Sequence, residues 1–284
     1  MDKNKQQKIN TGLYLVSTPI GNMEDITLRA IKILEKSDII LCEDTRRSAK
    51  LLSNFKIKNK LSPYHKFNEK KVSSDIIDIL KKKKIVSLIC DAGTPTISDP
   101  GLILVTKCIE ENLNIYPIPG PSAVISAISV SGFSDKYLFY GFLEKKEGEL
   151  DKTLNKLCDF SYSIVFFIPA KKINYYIIKF KKYFSDRKIL IAKEMTKLHE
   201  NFIRGNIESI KLLPENLKGE LTIVISQKNK EKNIKKILNE SVKIEIKKML
   251  KKYSHKDVVE FISKKENLSK KIIYDFSLNF KRQR

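Results

Sequence analysis

The sequence predicts an α/β protein built from two α/β domains and a small helical domain. Between residues 12 and 119, short apolar runs alternate with amphipathic helical patterns, which indicates a doubly wound, mostly parallel sheet. Between residues 120 and 227, apolar runs and helical patterns alternate again and favour a smaller α/β domain with a mixed sheet. Residues 228–284 are basic and have helical periodicity. Residues 1–11 are polar, and we expect a flexible tail there.

The amino-terminal domain is predicted from apolar runs that each end at turn-forming or polar residues. Its first helix is predicted from Glu24 to about Lys36, because acidic residues in a first turn suit the helix macrodipole. The helix Ser74–Lys84 is predicted by the same logic, with Asp75 near its start and lysines at its end. Further helices are predicted from Arg47 to about Phe55 and from Leu102 to about Asn112. The strands are predicted at Leu13–Ser17, Asp38–Cys42, Leu61–Tyr64, Ile85–Cys90 and Asn114–Ile118.

The second domain begins where Pro119-Gly-Pro-Ser122 interrupts the chain. The helix Ala123–Ser131 follows this break directly. Later helices are predicted near Leu150–Cys158, Ile173–Tyr183 and Asn206–Leu213. The strands of the second domain are predicted at Tyr137–Phe142, Ser163–Ile168, Lys188–Ala192 and Leu221–Ser226.

The carboxyl-terminal segment carries half of a large positive charge. The chain has a net charge of +22, and residues 228–284 contain 18 basic and 7 acidic residues. Only seven of the basic residues are arginine, so a compositional bias towards lysine could explain the total charge. A uniform bias would not concentrate the charge in one segment, however. The distribution therefore favours a polyanionic partner such as nucleic acid.

The same segment predicts a helix-turn-helix. Ser254 precedes Asp257 by three residues, as in a capping box that opens a helix Val258–Lys264, and Ser269 is positioned to cap a second helix, Lys270–Phe280. Nucleic acid meets the early turns of the second helix in such motifs. A solvated basic face on a small helical cap is the alternative. The predicted RNA-binding residues of this helix are Lys270, Lys271 and Tyr274.

Composition also limits the class of protein. No uninterrupted apolar run reaches the length of a membrane-spanning helix, and the lysine-rich start lacks the apolar core of a signal peptide, so we expect a soluble, cytoplasmic protein. The cysteines are scattered without a C-x-x-C pair, which argues against a zinc or disulfide role. Cys42 and Cys90 each end an apolar run, and we expect both to be buried thiols.

The loop Asp91–Gly101 is the strongest candidate for a ligand site. It follows an apolar strand, and it is longer than a structural strand-to-helix turn needs to be. Thr18–Asn22 and Pro119–Ser122 follow other strands and are equally rich in small residues. Loops at the carboxyl ends of neighbouring strands can converge on one pocket. Because these loops offer amides and hydroxyls but no strong base or metal ligands, they suit an already activated cofactor. The glycine signatures of dinucleotide and P-loop sites, and the nucleophile elbow, are missing from the sequence.

Several short motifs follow one another in a fixed order along the chain. They are Ser17-Thr-Pro-Ile-Gly-Asn22 with Glu24-Asp-Ile-Thr27, Cys42-Glu-Asp-Thr-Arg46, Asp91-Ala-Gly-Thr-Pro95 with Ser98-Asp-Pro-Gly101, Pro119-Gly-Pro-Ser-Ala123 and Ala192-Lys-Glu-Met-Thr-Lys197. With these motifs the chain resembles the tetrapyrrole methylases, in particular their branch that methylates 16S ribosomal RNA, from about Gly12 to its carboxyl end. The resemblance implies the two-domain tetrapyrrole methylase fold, S-adenosyl-L-methionine as donor, a homodimer, and 2′-O-methylation of a cytidine in the decoding region of 16S rRNA on the 30S subunit.

The resemblance also implies roles for individual residues. The donor would be bound by Pro19, Ile20, Gly21, Asp91, Ala92, Gly93, Thr94, Pro95, Thr96, Ile97, Ser98, Ser122 and Ala123. A ribose hydroxyl is a weak acid, so a base or a nearby cation is expected to help remove its proton. Our candidates for the catalytic residues are Glu43, Asp44, Glu194 and Lys197. Arg46, Arg47 and Lys193 are candidates for RNA binding, although residues 43–47 could instead form a local ion-pair cluster.

The chain departs from the family pattern at three places. Relatives carry an acidic residue after the strand Ser163–Phe167 and an arginine four positions later, where this chain has Ile168 and Lys172. A lysine cannot reproduce a bidentate arginine contact, so we expect either that another residue substitutes here or that activity is weaker. Lys193 replaces an arginine and Ser17 replaces a proline. The changes at Ile168 and Lys172 leave open an inactive RNA-binding assembly factor. C-methylation of a tetrapyrrole precursor also stays open, because it uses the same two-domain frame, although the basic helical tail argues against it.

Overall fold

The computed structural model describes residues 9–228, 238, 240–266, 268 and 270–282, with the backbone alone for residues 271, 272, 281 and 282. The predicted tail lies outside the described residues up to residue 8. The predicted Ser269 cap and the side chain of Lys271 also lie outside them. The described chain divides into two compact units, Met1–Gln227 and Lys228–Arg284. The finer division of the chain into domains at residue 119 stays a prediction.

The first sheet is parallel throughout and has helices on both faces. Its strand order is β3-β2-β4-β1-β5, so the first strand is flanked by the fourth and fifth. The strands are β1 (Gly12–Val16), β2 (Ile39–Cys42), β3 (Leu61–Pro63), β4 (Ile85–Leu88) and β5 (Ile115–Ile118). The helices are α1 (Leu28–Lys36), α2 (Thr45–Asn54), α3 (Glu69–Lys81) and α4 (Leu102–Glu110).

Helices pack on both faces of this sheet through buried apolar side chains. Leu34 of α1 and Leu52 of α2 pack on one face, around Tyr14 and Ile40. The buried residues of α3 and α4 pack on the other face with Leu13. Strands buried on both faces are typical of doubly wound sheets, because helices cover each side. The predicted fold class is confirmed.

The second sheet is mixed and has the order β6-β7-β10-β8-β9. β6 and β7 are parallel, and the remaining pairs are antiparallel. α5 packs on one face, and α6 and α7 pack on the other. The elements are α5 (Ala123–Ser131), β6 (Tyr137–Phe142), α6 (Glu147–Leu157), β7 (Ser163–Pro169), α7 (Ile173–Tyr183), β8 (Lys188–Lys193), β9 (Asn201–Asn206) and β10 (Glu220–Ile225).

Two helix starts were predicted wrongly, and in the first of them a threonine provides the cap. Met23–Asp25 forms a short 3-10 turn, and α1 begins only after Thr27, whose hydroxyl accepts a hydrogen bond from the Ala30 N–H at 3.1 Å. α3 begins at Glu69, five residues before the predicted start at Ser74. Asp75 therefore lies inside α3 rather than near its start.

The predicted helix Asn206–Leu213 is also wrong, and the edge strand β9 was missed. The backbone of this segment is satisfied by partners elsewhere in the chain. Ile207 N–H donates to the Arg187 carbonyl at 2.9 Å, and Leu213 N–H donates to Asn174 Oδ1 at 2.8 Å. The apolar spacing that resembles a helix instead places Ile207 and Ile210 in the core beneath the sheet.

The second unit contains three helices among its described residues: α8 (Glu240–Met249), α9 (His255–Glu266) and α10 (Lys270–Arg282). Their shared core includes Ile246, Ile262 and Ile273. The Ser254 cap is confirmed, since Asp257 N–H donates to Ser254 Oγ at 3.2 Å. α9 and α10 match the predicted helices with longer ends. None of the helices in the described part of the chain has the length and apolar character needed to cross a membrane.

Candidate active site

Three bends that follow β1, β4 and β5 meet at the carboxyl edge of the first sheet. Thr18 and Gly93 form an isolated antiparallel bridge, with N–H···O distances of 2.8 and 3.0 Å. The Ser17 and Thr94 hydroxyls are 3.1 Å apart, and Thr94 Oγ1 donates to the Pro121 carbonyl at 3.2 Å. The contacts between the first two bends join residues more than 70 positions apart in the chain, and the Thr94–Pro121 contact joins residues 27 positions apart. The loops that the sequence predicts to converge therefore lie side by side.

A cavity of about 260 Å³ opens beside the first two bends. The bend after β1, the first turns of α2 and the start of the loop after β4 line it. Of the predicted donor-binding residues, Pro19, Ile20, Gly21, Asp91 and Ala92 are in its wall, and Arg47 lines it as well. The other predicted donor-binding residues lie outside this wall.

Gly93 occupies a backbone position that favours glycine and keeps space between the bends. Its φ is +88°, and a Cβ there would lie 3.5 Å from Ile20 Cγ2 and 3.9 Å from the Pro121 oxygen. A longer side chain would fill the gap between the first and third bends. The surrounding groups are backbone carbonyls, amides and short hydroxyls, which can hydrogen-bond the sugar, amine and carboxylate of a nucleoside-linked amino acid. The residues present therefore fit a sulfonium nucleoside such as S-adenosylmethionine.

The remaining predicted donor-binding residues face the second half of the chain. Pro95 is buried, and the Ser98 hydroxyl lies where a Cβ on Gly141 would approach it to 3.2 Å. Ala123 opens α5 and packs with Ile20 in the apolar cluster on the second sheet. The loop Asp91–Gly101 thus runs from the cavity to β6. Thr96 and Ile97 lie in this loop, and Ile97 is exposed, whereas Ser122 is the N-cap residue of α5.

The first bend also fits closely against the loop after β8. A Cβ on Gly21 would lie 2.6 Å from Thr196 Oγ1 and from Lys197 Cγ, and 2.7 Å from the Met195 oxygen. Asn22 N–H donates to Thr196 Oγ1 at 3.0 Å. This contact places two of the predicted catalytic residues, Glu194 and Lys197, close to the bend after β1. Lys197 Nζ lies 3.3 Å from Glu194 Oε1, so the two side chains form an ion pair.

The loop after β4 and the loop after β8 each contain two residues other than glycine with positive φ. Thr96 and Ser98 have φ values of 72° and 68°, and Glu194 and Thr196 have values of 51° and 62°. Positive φ is rare for residues with a side chain and especially for β-branched threonine. Such strain persists only where surrounding contacts enforce it, and it is common at ligand sites. Thr196 was not among the predicted site residues, because its backbone conformation leaves no trace in the sequence.

The acidic residues after β2 have different environments. Asp44 caps α2 and accepts two hydrogen bonds from the Arg46 guanidinium, at 2.7 and 3.1 Å. These bonds lower the pKa of Asp44 well below its usual range. Burial raises the pKa of Glu43, and the nearby charge of Asp91 raises it further. Glu43 is therefore the better proton acceptor of the two. The local ion-pair cluster that we kept as an alternative does exist, and it involves Asp44 and Arg46.

Asp91 ties the loops after β2 and β4 together. It accepts from Arg47 Nη1 at 2.8 Å and from the Asp44 N–H at 3.3 Å. Asp99, which was not predicted as a site residue, lies near the same group of carboxylates. Its burial, with a contribution from the charge of Glu43, raises the pKa of Asp99 to about 6. The Ser98-Asp-Pro-Gly101 motif contains this residue, but only the fold reveals its proximity to Glu43.

The predicted RNA-binding residues divide between the two units. Arg46 and Arg47 begin α2 with side chains that are 87% and 70% exposed, and Lys193 ends β8. In the second unit, Lys270 is exposed in the first turn of α10. Tyr274 packs edge-on against His255, with ring centroids 4.8 Å apart, and is 47% exposed.

The departure at Ile168 lies away from the candidate site. Ile168 is fully buried in the apolar cluster between the second sheet and the layer of α6 and α7. α5 and Ile20 pack on the opposite face of that sheet. Since successive side chains of a strand point to opposite faces, position 168 faces away from Ile20. The isoleucine therefore leaves the face towards the bend after β1 unchanged.

Comparison with known proteins identifies relatives over most of the chain. Residues 12–211 match the family model "Tetrapyrrole (Corrin/Porphyrin) Methylases". The ribosomal RNA small subunit methyltransferase I of Rickettsia prowazekii is 42% identical over 81% of this chain and 85% of that protein. The enzyme of the same name from Neisseria meningitidis serogroup A is 33% identical over 99% of this chain and 98% of that protein.

Solved structures agree with the fold. A cobalt precorrin-4 methyltransferase has a TM-score of 0.55 at 15% identity, over 75% of this chain and 94% of that one. The uroporphyrin-III C-methyltransferase of Thermus thermophilus, complexed with S-adenyl homocysteine, has a TM-score of 0.52 at 13% identity, over 76% of this chain and 97% of that one. At these identities the likeness shows the fold alone. The family model and the sequence relatives establish that this chain belongs to the tetrapyrrole methylases and, within them, to the ribosomal RNA small subunit methyltransferase I family.

Proposed function

We propose that this protein transfers a methyl group from S-adenosylmethionine to the 2′-hydroxyl of a cytidine in the decoding region of 16S rRNA on the 30S subunit. The observation that carries the proposal is the hydrogen-bonded meeting of three bends at the sheet edge, beside the cavity. Relatives named as small subunit rRNA methyltransferases support the acceptor. An acceptor in ribosomal RNA implies a cytoplasmic protein.

The bends after β1, β4 and β5 would hold the donor. When bound, S-adenosylmethionine supplies an electrophilic methyl group, so the protein mainly has to align that group with the acceptor oxygen. Backbone groups of Thr18 and Gly93 pair with each other and keep the bends in register. Asp91 is fixed by Arg47 and by the Asp44 N–H, which leaves it little freedom to reorient. A site held in this way is ordered before the donor binds.

Glu43 is our candidate for the proton acceptor. Its raised pKa, caused by burial and by Asp91, brings the carboxylate closer to the basicity that removal of a hydroxyl proton requires. Methyl transfer should therefore increase with pH as Glu43 ionises. Glu43→Gln should lower kcat by about 100-fold or more and remove this pH dependence, without changing donor affinity. Asp44→Asn is the matched control, because Asp44 is held by Arg46. This variant should lower kcat much less than Glu43→Gln does. Equal losses in the two variants would exclude the assignment.

The second unit is proposed to contribute RNA affinity. Its basic helices expose Lys270 and Tyr274, and phosphate contacts make binding depend steeply on salt. The apolar clusters of the first unit contain only residues before 228, so deletion of residues 228–284 should leave that unit folded. The deletion should weaken RNA binding and reduce its salt dependence, while donor affinity is retained. Unchanged RNA affinity would remove the tail from the proposal.

A homodimer is proposed on the basis of exposed apolar residues on two helices. Leu102 and Ile109 on α4 are 68% and 64% exposed, and Ile125 and Val130 on α5 are 54% and 40% exposed. Large apolar side chains left exposed on helices are typical of a subunit interface. Sedimentation should give a dimer for the native chain and a monomer for the double variant Ile109→Asp, Ile125→Asp. A monomeric native chain would contradict the proposal.

Methyl transfer itself tests the proposed function. The full chain is incubated with S-adenosylmethionine carrying a labelled methyl group and with 30S subunits that lack the modification. We expect label in 16S rRNA, at a linkage that resists alkaline cleavage because its 2′-oxygen is blocked. Label in a porphyrinogen instead would favour C-methylation. Donor binding without transfer to either acceptor, or no donor binding by calorimetry, would contradict a methyltransferase of this specificity.

A further inference from the structure

Phe67 is the most exposed large apolar side chain in the described part of the chain. It lies in the turn between β3 and α3 and is 98% exposed. A single exposed apolar residue is common on protein surfaces and needs no explanation by itself. The surroundings of Phe67 decide whether the ring is incidental. Three of their properties indicate a contact with a ligand: rigidity, position and charge.

The turn that carries Phe67 is rigid. Asn68 Oδ1 accepts from the His65 N–H at 2.8 Å, and Asn68 Nδ2 donates to the Pro63 carbonyl at 2.9 Å. The Asn68 N–H also donates to the His65 carbonyl at 3.0 Å. The Phe67 ring meets the edge of the His65 ring, with centroids 6.0 Å apart. A ring presented on a fixed backbone loses little conformational entropy when a partner covers it.

The same turn is connected to the candidate active site. The Gly101 N–H, at the end of the loop after β4, donates to Glu69 Oε2 at 3.3 Å. Lys66 lies close enough to Glu43 and Asp99 for its positive charge to act on both carboxyls. β3 is the neighbour of β2, so the turn and the Glu43 loop leave adjacent strands at the same edge. Phe67 therefore lies beside the site at which the acceptor must react.

The charges around the ring fit a polyanion. Lys66 and Lys70 flank it in sequence and are exposed, and the Arg46 side chain, at the start of the helix that follows the adjacent strand β2, is 87% exposed. An exposed aromatic ring with nearby cations is the arrangement by which proteins hold single-stranded nucleic acid, where bases stack on rings and cations contact the backbone. RNA bases in loops and at ends are unstacked and available for such contacts.

We propose that Phe67 is a stacking platform for the base of an unpaired nucleotide in the RNA acceptor strand. The proposal rests on the proposed function and specifies how the acceptor is held next to Glu43. Stacking needs a π face but no particular base, so Phe67 would contribute affinity and position rather than sequence readout. The catalytic step would proceed without any contact between Phe67 and the transferred methyl group.

The absence of tryptophan from the sequence makes a direct test possible. The full-length Phe67→Trp variant has a single tryptophan, whose emission is quenched when a base stacks on it. The matched control is Ile178→Trp, which places a tryptophan on α7 at a residue that is 59% exposed. Titration with a short single-stranded RNA should quench the Phe67→Trp variant to saturation and leave the control unchanged. Equal quenching of both variants, or none of the Phe67→Trp variant, would overturn the proposal. Quenching by anionic vesicles but not by RNA would also overturn it. The same holds if the tryptophan becomes buried as the protein concentration rises, since a second copy of the chain would then cover it.

Kinetics on 30S subunits provide the second test. Phe67→Ala and Phe67→Leu should raise the KM for subunits about tenfold, while Phe67→Tyr should restore it, because stacking on a ring accounts for the loss. Donor affinity should be unchanged in all three variants. If Phe67→Leu is as active as the native chain, the ring is not a platform and the proposal is wrong. If the native chain transfers no methyl group to 30S subunits, the proposed function fails instead, and the fluorescence titration still decides whether RNA stacks on Phe67.

Discussion

Replacement of Gly21 by alanine should disturb the junction between the bend after β1 and the loop after β8. The added Cβ would lie within 2.7 Å of the Met195 oxygen and within 2.6 Å of Thr196 Oγ1 and Lys197 Cγ. The lysine carbon can move aside, but the backbone oxygen of Met195 cannot. Either the bend or the loop must therefore shift.

The size of the effect follows from these overlaps. Overpacking a closed contact costs about 1–3 kcal/mol, and displacement of the bend would also strain the Asn22 N–H bond to Thr196 Oγ1, which contributes about 1 kcal/mol. We expect Gly21→Ala to lower the free energy of unfolding by about 2 kcal/mol. Since Gly21 also lines the cavity, a shift of the bend should weaken donor binding by about tenfold.

Denaturant unfolding and calorimetry with S-adenosylmethionine measure the two effects. Gly205→Ala is the matched control, because Gly205 lies in β9 and an added Cβ there meets nothing within 4 Å. The control should be as stable as the native chain or slightly more stable, with unchanged donor affinity. If Gly21→Ala behaves like Gly205→Ala in both measurements, the close fit of the bend against the loop has no energetic role, and our account of the junction is wrong.

Three further predictions concern stability. An unfolded aspartate ionises near pH 4, and burial raises the pKa of Asp99 to about 6 in the folded chain. Between these two pH values the folded state binds more protons than the unfolded state, so its stability falls as pH rises through them. In denaturant titrations, Asp99→Asn should therefore raise the free energy of unfolding by about 1 kcal/mol at pH 7, after solvent screening, and leave it unchanged at pH 4. Arg187→Met should lower the free energy of unfolding by about 3 kcal/mol, because the buried guanidinium donates to three backbone carbonyls. An unchanged midpoint in the same denaturant titration would contradict this. Thr27→Ala should lower the thermal midpoint through loss of about 1 kcal/mol of capping energy, whereas Thr27→Ser should not.

The sequence was sufficient to locate most strands and the helices after them. Apolar runs bounded by turn residues identify β1, β2 and β4, because strands buried on both faces are apolar at nearly every position. Helix starts were less predictable, since Glu24 and Asp25 are favourable at a helix start but the Thr27 hydroxyl forms the actual cap. Many side chains can serve as caps, and the local sequence does not decide among them.

β9 was missed because its sequence lacks a strand pattern and its pairing partner lies elsewhere in the chain. Among the strands that the structure describes it pairs only with β8, and neither face of Asn201–Asn206 is fully buried. The next residues have a helical spacing of apolar side chains, at Ile207 and Ile210, which suggested a helix instead. The hydrogen bond from Ile207 to the Arg187 carbonyl overrides that spacing. A long-range backbone contact of this kind is not encoded in any short window of sequence.

The sequence alone was enough to predict which loops are suited to binding a ligand. Small residues, hydroxyls and glycines have to follow the strand ends, because only such residues allow a ligand to approach the backbone closely, and this requirement is visible as local composition. Strand order decided which of these loops meet. The parallel order β3-β2-β4-β1-β5 places Thr18 against Gly93 and brings Lys66 near Glu43. These residues are too far apart in the chain for any local sequence pattern to predict their contact.

At the root of this difference is the range over which the forces act. Propensity and hydrophobic pattern act within a few residues, whereas the pKa of Asp99, the fit at Gly21 and the exposure of Phe67 depend on groups that folding brings from distant parts of the chain.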